Sequence, residues 1–491
     1  VAHVLISASH KSSGKTTLSV GLAAALASKG LAVQTFKKGP DYIDPMWLSG
    51  ASGRPCYNLD FNTQEPDEIR RTFALKGAGA DICLTEGNMG LHDGVDLAGS
   101  DSTAALAALL GSPVILVIDC EGMTRGVAPL LLGFQSFDSR IKIAGVILNR
   151  VATSRQETKL VGAVERYTNI RVLGALRRDT RLSILERHLG LSTPSDCDGE
   201  AAKIRALGET VAAHVDLDHL LEIARTAQSL APVAEPGHCQ PSRREQSDVV
   251  IAVARDAAFG FYYPDDLEAL ERAGARLEMF SPLADAMPPR ADGFFLGGGF
   301  PEVHMSALEA NAGMRHAIRA LAERGTPIYA ECGGLMYLAR SIRWGEECRQ
   351  MAGVIEADVE MDVRPQGRGL MVVEPTGDCP WFGGVPDGGS ERGIRAHEFH
   401  HARLVNIAAG TRFAWRVKRG HGIDGHNDGI VRDAVLATFV HQRSTSRNRW
   451  AESFVEFVRR KKAERAGHSV ARCKDITADR SDPSAITIAG E

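Results

Sequence analysis

Two short stretches carry residue types that do chemistry. The first is Ser9-His-Lys-Ser-Ser-Gly-Lys-Thr-Thr17. Its Gly14-Lys15-Thr16 closes a loop of the form G-x-x-x-x-G-K-[ST]. In such a loop inward N–H groups cradle phosphates, the lysine reaches the terminal phosphate, and the hydroxyl holds Mg²⁺. Ser9 stands where the first glycine is usual, and Lys11 is read as solvent-facing. A chance Gly-Lys-Thr beside a helix cap is the plain alternative. The apolar strand before the loop and the Ala/Leu-rich helix after it argue against that.

The second stretch is Pro327-Ile-Tyr-Ala-Glu-Cys-Gly-Gly-Leu-Met-Tyr-Leu338, a strand, a sharp turn and a helix start. A thiol at such an elbow faces a helix N-terminus, which lowers its pKa, and the turn is expected to expose it. Cys332 is therefore the candidate nucleophile. The plain reading is a buried small hydrophobe. Phe294-Phe-Leu-Gly-Gly-Gly-Phe-Pro-Glu302 follows another strand, and its N–H groups are expected to form an oxyanion hole. Two bases are candidates, His397 in Arg395-Ala-His-Glu-Phe-His-His401 and His441 in Leu436-Ala-Thr-Phe-Val-His-Gln-Arg443. His441 is preferred because it ends a β-type run late in the domain. His397, His400 and His401 lack the carboxylates or thiols that would complete a metal site.

Acidic residues stand after other strands. Asp41 and Asp44 lie in Phe36-Lys-Lys-Gly-Pro-Asp-Tyr-Ile-Asp-Pro-Met-Trp47. Pro40 and Pro45 argue for a loop there. Glu86 opens Glu-Gly-Asn-Met-Gly-Leu-His-Asp-Gly94 after Ile82–Thr85. Carboxylates at strand ends can hold Mg²⁺ opposite Thr16. An Asp in a Pro/Gly loop is equally a turn residue. Lys37 and Lys38, expected just past a strand, face either a carboxylate or phosphate, or solvent.

The elements around these residues alternate short apolar runs with helical periodicity. Val4–Ser7, Ala32–Phe36, Ile82–Thr85, Val114–Ile118 and Ile143–Leu148 read as strands, with helices such as Thr16–Lys29 between them. Val249–Ala254, Arg276–Phe280, Gly293–Leu296 and Pro327–Ala330 repeat the style. The pattern is α/β, with helices on parallel sheets, in two domains. The domains are expected at 1–227 and 248–462, with a Pro-rich linker at 228–247 and a disordered tail at 463–491.

The 491 residues fit this organisation. With 57 Lys and Arg against 61 Asp and Glu, the chain has no basic field for nucleic acid. No apolar run is long enough to cross a membrane, and the first residues do not read as a secretory signal. Nine cysteines without a CxxC pair point to reduced thiols and a cytoplasmic protein rather than disulfides or structural zinc.

Taken in order, several longer motifs resemble the cobyrinic acid a,c-diamide synthase family over about residues 1–460. They are Phe36–Pro45, Glu86–Gly94, Gly145–Arg150, Leu185–Leu191, Phe259–Pro264, Leu296–Glu302, Ala330–Leu338 and Arg395–His400. The resemblance implies a dethiobiotin-synthetase-like P-loop domain followed by a class I glutamine amidotransferase domain. It implies a carbon–nitrogen ligase in which glutamine is hydrolysed at Cys332 with His441 as base. Gly298, Gly299 and Gly333 would form the oxyanion hole. Ammonia would then displace phosphate from a tetrapyrrole acyl-phosphate made with ATP. By similarity Ser12, Ser13, Gly14, Lys15, Thr16 and Thr17 hold ATP, and Thr16, Asp41 and Glu86 hold Mg²⁺. Lys37, Asp44 and Asp93 face the carboxylate and acyl-phosphate, and Lys38, Arg54 and Arg125 bind other substrate carboxylates. The acid that class I enzymes carry two residues after the histidine is replaced by Arg443. The family is similar in using Cys and His without it.

The surroundings of Asn88, Cys120–Pro129 and Val440–Arg443 resemble the branch associated with sirohaem amidation. Sirohaem and a corrinoid both stay open as the tetrapyrrole, as do a monomer and a homodimer. Two rival classes are a partition-type nucleotide-switch ATPase and a stand-alone cysteine hydrolase. The first leaves the Cys332 elbow unexplained and the second leaves the phosphate loop idle.

Overall fold

The computed structural model describes residues 1–179, 186–187, 190–191, 199–228, 247–381 and 393–478, with side chains as far as 466 in the last segment. All but the ends of the expected linker, part of the Leu185–Leu191 motif, and residues 479–491 lie outside the described residues.

The first sheet has seven parallel strands. They are β1 (His3–Ala8), β2 (Val33–Lys38), β3 (Tyr57–Leu59), β4 (Ile82–Glu86), β5 (Val114–Asp119), β6 (Ile143–Val151) and β7 (Arg171–Arg177), in the order β3-β2-β4-β1-β5-β6-β7. Helices cover both faces, so central strands such as Val114–Ile118 are buried through and through. Helix α1 (Lys15–Ser28) lies close against the helix Glu200–His214. A Cβ on Gly21 would stand 2.5 Å from Val211 Cγ2, so only glycine lets the two backbones approach this far.

The second sheet is mixed and has nine strands. Ala275–Phe280, Val249–Ala254, Gly293–Leu296, Ile328–Glu331 and Val435–Thr438 run parallel, in that order. Asn427–Arg432, Arg412–Arg419, Gly367–Pro375 and Ile394–His400 extend it as an antiparallel half.

Several expectations need correction. Lys37 and Lys38 end β2 rather than follow it, because pairing with β4 continues to Lys37 opposite Glu86. Glu86 is likewise the last residue of β4. Asp44 lies not in a loop but in the first turn of helix α2 (Ile43–Ser52). Pro45 is tolerated there because first-turn N–H groups have no helical partner to lose. The C-terminal helix runs from Trp450 to Ala478, well past the expected end near residue 462. Its polar residues are good helix formers, and Arg465 ties it down by donating to Thr326 Oγ1 and the Asp292 carbonyl.

The two domains share a polar and aromatic seam. Tyr57 donates to Glu268 Oε1 at 2.6 Å, and Asn62 donates to the Ala396 carbonyl at 2.9 Å. The Ser446 backbone and hydroxyl both donate to Glu68. Phe300 of the second domain is packed into the apolar core of the first.

Candidate active site

In the first domain, the ends of adjacent strands β2, β4 and β1 bring the charged groups together. Gly14 caps α1 at φ 89°. A Cβ there would stand 2.3 Å from Asn149 Nδ2, so glycine is required on both counts. Ser13 donates its hydroxyl to the His10 carbonyl at 2.8 Å. Lys15 is buried and donates to the Met89 carbonyl at 2.6 Å. Burial, then repulsion from Lys37, lowers its pKa to about 8. Thr16 donates to Glu86 Oε1 at 2.7 Å and Asp44 Oδ2 at 3.3 Å. Lys37 stands between the same carboxylates, 2.6 Å from Asp44 Oδ2 and 2.8 Å from Glu86 Oε1. Burial pulls the Lys37 pKa down, but Asp44, Glu86 and Asp41 together hold it above the ordinary range. Asp41 accepts from the Asp44 backbone N–H, and burial and the Asp44 charge raise its pKa to about 7.

Every phosphate-site residue expected from the sequence except two is in this cluster or the loop it opens. Thr17 faces a small cavity beside Gly14 and Asn149. Asp93 is exposed and accepts from the Gly90 N–H at 2.9 Å. Lys38 is buried, Arg54 half-buried, and Arg125 exposed over the Tyr167 ring.

The fit for a divalent cation rests on Glu86. Its Oε2 is buried with no hydrogen-bond partner, while Thr16 and Lys37 both donate to its other oxygen. Among the described residues, no three His, Cys, Asp or Glu side chains form a metal cage by themselves. Mg²⁺ takes one or two carboxylates and completes its shell with phosphate oxygens and water, so Glu86 and Thr16 would be its protein ligands here.

In the second domain three neighbouring parallel strands deliver the other centre. Gly293–Leu296 leads into the glycine loop, Ile328–Glu331 into Cys332, and Val435–Thr438 towards His441. The Cys332 N–H donates to the Thr438 carbonyl at 2.7 Å, which fixes the elbow against the third strand. Cys332 has φ 44° and ψ −97°, a conformation rare for a side-chain-bearing residue. The elbow is not exposed as expected, since Cys332 is only 6 % accessible and packs in the second domain's own apolar core. The glycine loop crowds the same spot. A Cβ on Gly333 would lie 2.9 Å from the Gly299 nitrogen, and one on Gly298 would lie 2.9 Å from His441 Cε1.

His441 Nδ1 is 3.3 Å from Glu331 Oε2 and 3.4 Å from the hydroxyl of Tyr42, a first-domain residue. Burial alone would lower the His441 pKa, but hydrogen bonds to Cys332 and Glu331 and their charges raise it to about 10. His397 stacks on His441 with centroids 4.9 Å apart and is bridged to it through the backbone. Burial and the neighbouring His441 and Arg443 charges push its own pKa well down, so it stays neutral. His400 and His401 turn away to the Ala402 and Asp362 carbonyls.

Sequence reasoning missed Glu331, Tyr42 and the work of Arg443. Arg443 donates to Asp265 at 2.7 Å and to the first domain's Asn58 carbonyl at 2.6 Å. The only sequence signals were a charged residue inside an apolar strand, and an aromatic between two acids.

This pair of centres matches two family models in order. A CobQ/CobB/MinD/ParA nucleotide binding domain matches residues 5–191, and a CobB/CobQ-like glutamine amidotransferase domain matches residues 250–449. A cobyrinate a,c-diamide synthase of Magnetococcus marinus is 43 % identical over 465 residues, 94 % of this chain and 97 % of that one. The chain belongs to the cobyrinate a,c-diamide synthase family. Synthases of the same name from Methanosarcina barkeri and Listeria monocytogenes are 36 % and 39 % identical, over 94 % and 89 % of this chain and 96 % and 95 % of theirs. Membership makes the chain a carbon–nitrogen ligase with glutamine as the amido donor. It bears out the expected fold, a P-loop domain followed by a class I amidotransferase domain. No helix among the described residues is long and apolar enough to cross a membrane.

Proposed function

We propose that this synthase family member amidates the a and c acetate side chains of a cobyrinate-type tetrapyrrole, using ATP, Mg²⁺ and glutamine. The observation that carries this reading is the Asp41–Asp44 turn. Asp44 sits in the phosphate cluster while Tyr42, two residues away, touches His441. One short segment thus spans the nitrogen-releasing centre and the ATP centre.

At the second centre the thiol proton rests on His441, and Cys332 Sγ attacks the glutamine carboxamide carbon. Gly298, Gly299 and Gly333 would offer their N–H groups to the developing oxyanion. His441 gives its proton to the departing ammonia, leaving a glutamyl thioester that water cleaves to glutamate. At the first centre, the loop Ser12, Ser13, Gly14, Lys15, Thr16 and Thr17 would hold ATP. A substrate carboxylate attacks the terminal phosphorus and ADP leaves. Ammonia then attacks the acyl carbon and phosphate leaves. The phosphoryl step is needed because a carboxylate is a poor acyl donor. Mg²⁺, held by Thr16 and Glu86 with Asp41 close by, would neutralise phosphate charge when bound. Lys37, Asp44 and Asp93 would orient the carboxylate end.

Replacing the nucleophile tests the division of labour. Cys332→Ala should abolish glutamine-driven amidation and leave ammonia-driven amidation intact. Lys15→Ala should abolish both. Glutamine-driven product from Cys332→Ala would overturn the nucleophile assignment. Offering cobyrinate and sirohaem separately, with mass spectrometry of the products, tests the macrocycle. Amidation of sirohaem alone would overturn the corrinoid reading.

A further inference from the structure

The family is expected to work with Cys and His alone, because Arg443 occupies the usual acid position. The structure nevertheless places a carboxylate on the imidazole. We infer that Glu331, the residue immediately before the nucleophile, is the positioning acid of this site, holding His441 in the tautomer and orientation that serve Cys332. The inference deepens the amidotransferase reading and rests on it.

The geometry is specific. Glu331 and Thr438 are register partners on adjacent parallel strands, so the strand ends carry Glu331, Cys332 and His441 side by side. Glu331 Oε2 lies 3.3 Å from His441 Nδ1. With Nδ1–H donating to the carboxylate, Nε2 is left to exchange a proton with the thiol. The carboxylate is itself held. Tyr329 donates to Glu331 Oε1 at 2.5 Å, and the Gln442 backbone N–H donates to the same oxygen at 3.3 Å. Gln442 Nε2 donates to the Tyr329 hydroxyl at 2.8 Å, and Asn448 holds the Gln442 amide oxygen. Both Glu331 and His441 are almost wholly buried, so their interaction is little screened by water.

Chain order also explains Arg443. An acid two residues after His441 would face Asp265 and the Asn58 carbonyl, where only a cation is satisfied. The carboxylate that meets His441 comes from the neighbouring strand, and position 443 serves as an interdomain anchor.

Glu331→Gln keeps the shape and removes the charge. Around the pair stand Cys332, His397, Tyr42, Tyr263, Asp266 and Arg443, and removing the Glu331 charge also relieves its upward push on the Tyr42, Tyr329 and Asp266 pKa values. Glu331→Gln should lower glutaminase kcat by about 10²-fold or more. It should also move the alkaline limb of the profile to lower pH while ammonia-driven amidation is unchanged. Glu331→Asp should restore part of kcat. Iodoacetamide labelling of Cys332 reads the same pairing without turnover, and its rate at neutral pH should fall in Glu331→Gln. Should Glu331→Gln misfold, Glu331→Asp carries the test through the same pH profile and labelling rate. Wild-type kcat, pH profile and labelling rate in the folded variants would overturn the proposal. A wild-type enzyme that labels at Cys332 but hydrolyses no glutamine would instead overturn the amidotransferase reading.

Discussion

His441 gives up its proton at about 10 in the fold, against 6.5 for a free imidazole, because Cys332 and Glu331 outweigh burial. The sign of the resulting pH dependence follows. A raised folded pKa contributes stability fully below 6.5, and that contribution disappears as pH rises through about 10. The melting temperature of the wild type should therefore fall across that window, and a His441→Gln variant should be flatter there. Equal slopes in thermal melts would contradict the pairing. The nucleophile and the phosphate loop were legible because each is a contiguous run with its own strand and helix. Glu331 and Tyr42 were not. Each is defined by a partner on a distant segment, 110 residues away for Glu331 and 399 for Tyr42. A lone Glu in an apolar strand says that it needs a partner, but not which one.

The elements act by bringing strand ends together. β4 carries Glu86 to β2's Lys37, and the elbow strand carries Cys332 to the His441 strand, in both cases by parallel register. Parallel strands were readable as apolar runs, since both faces are covered. The antiparallel half of the second sheet was not, because strands such as Arg412–Arg419 face solvent on one side and read as mixed polar sequence. Helix α1 aims the phosphate loop, and its position depends on Gly21. Gly21→Val should destabilise the first domain by about 1–3 kcal/mol through overpacking against Leu207 and Val211. Denaturant titration checks this, and an unchanged midpoint would show that the helix pair has slack.

At the scale of the whole molecule, the two centres meet at the domain seam through Tyr42. Tyr42 reaches from the first domain to stack on Phe261 with centroids 5.3 Å apart, and it also packs against His397 and His441. Arg443 anchors the same seam. Arg443→Met should cost about 3–5 kcal/mol because Asp265 loses its buried partner. It should also loosen the seam, so that more glutamine is hydrolysed per amide formed. An unchanged ratio of glutamate to amide would show that the anchor plays no part in coupling. The family resemblance announced two domains, but no local motif could reveal that the first domain completes the wall of the second domain's site. The most direct measurement of that coupling uses glutamine labelled with ¹⁵N at its amide, supplied with ATP, Mg²⁺ and the tetrapyrrole in excess unlabelled ammonium. Nitrogen released at Cys332 and used within the same molecule predicts amides that carry ¹⁵N, and product bearing only unlabelled nitrogen would contradict it.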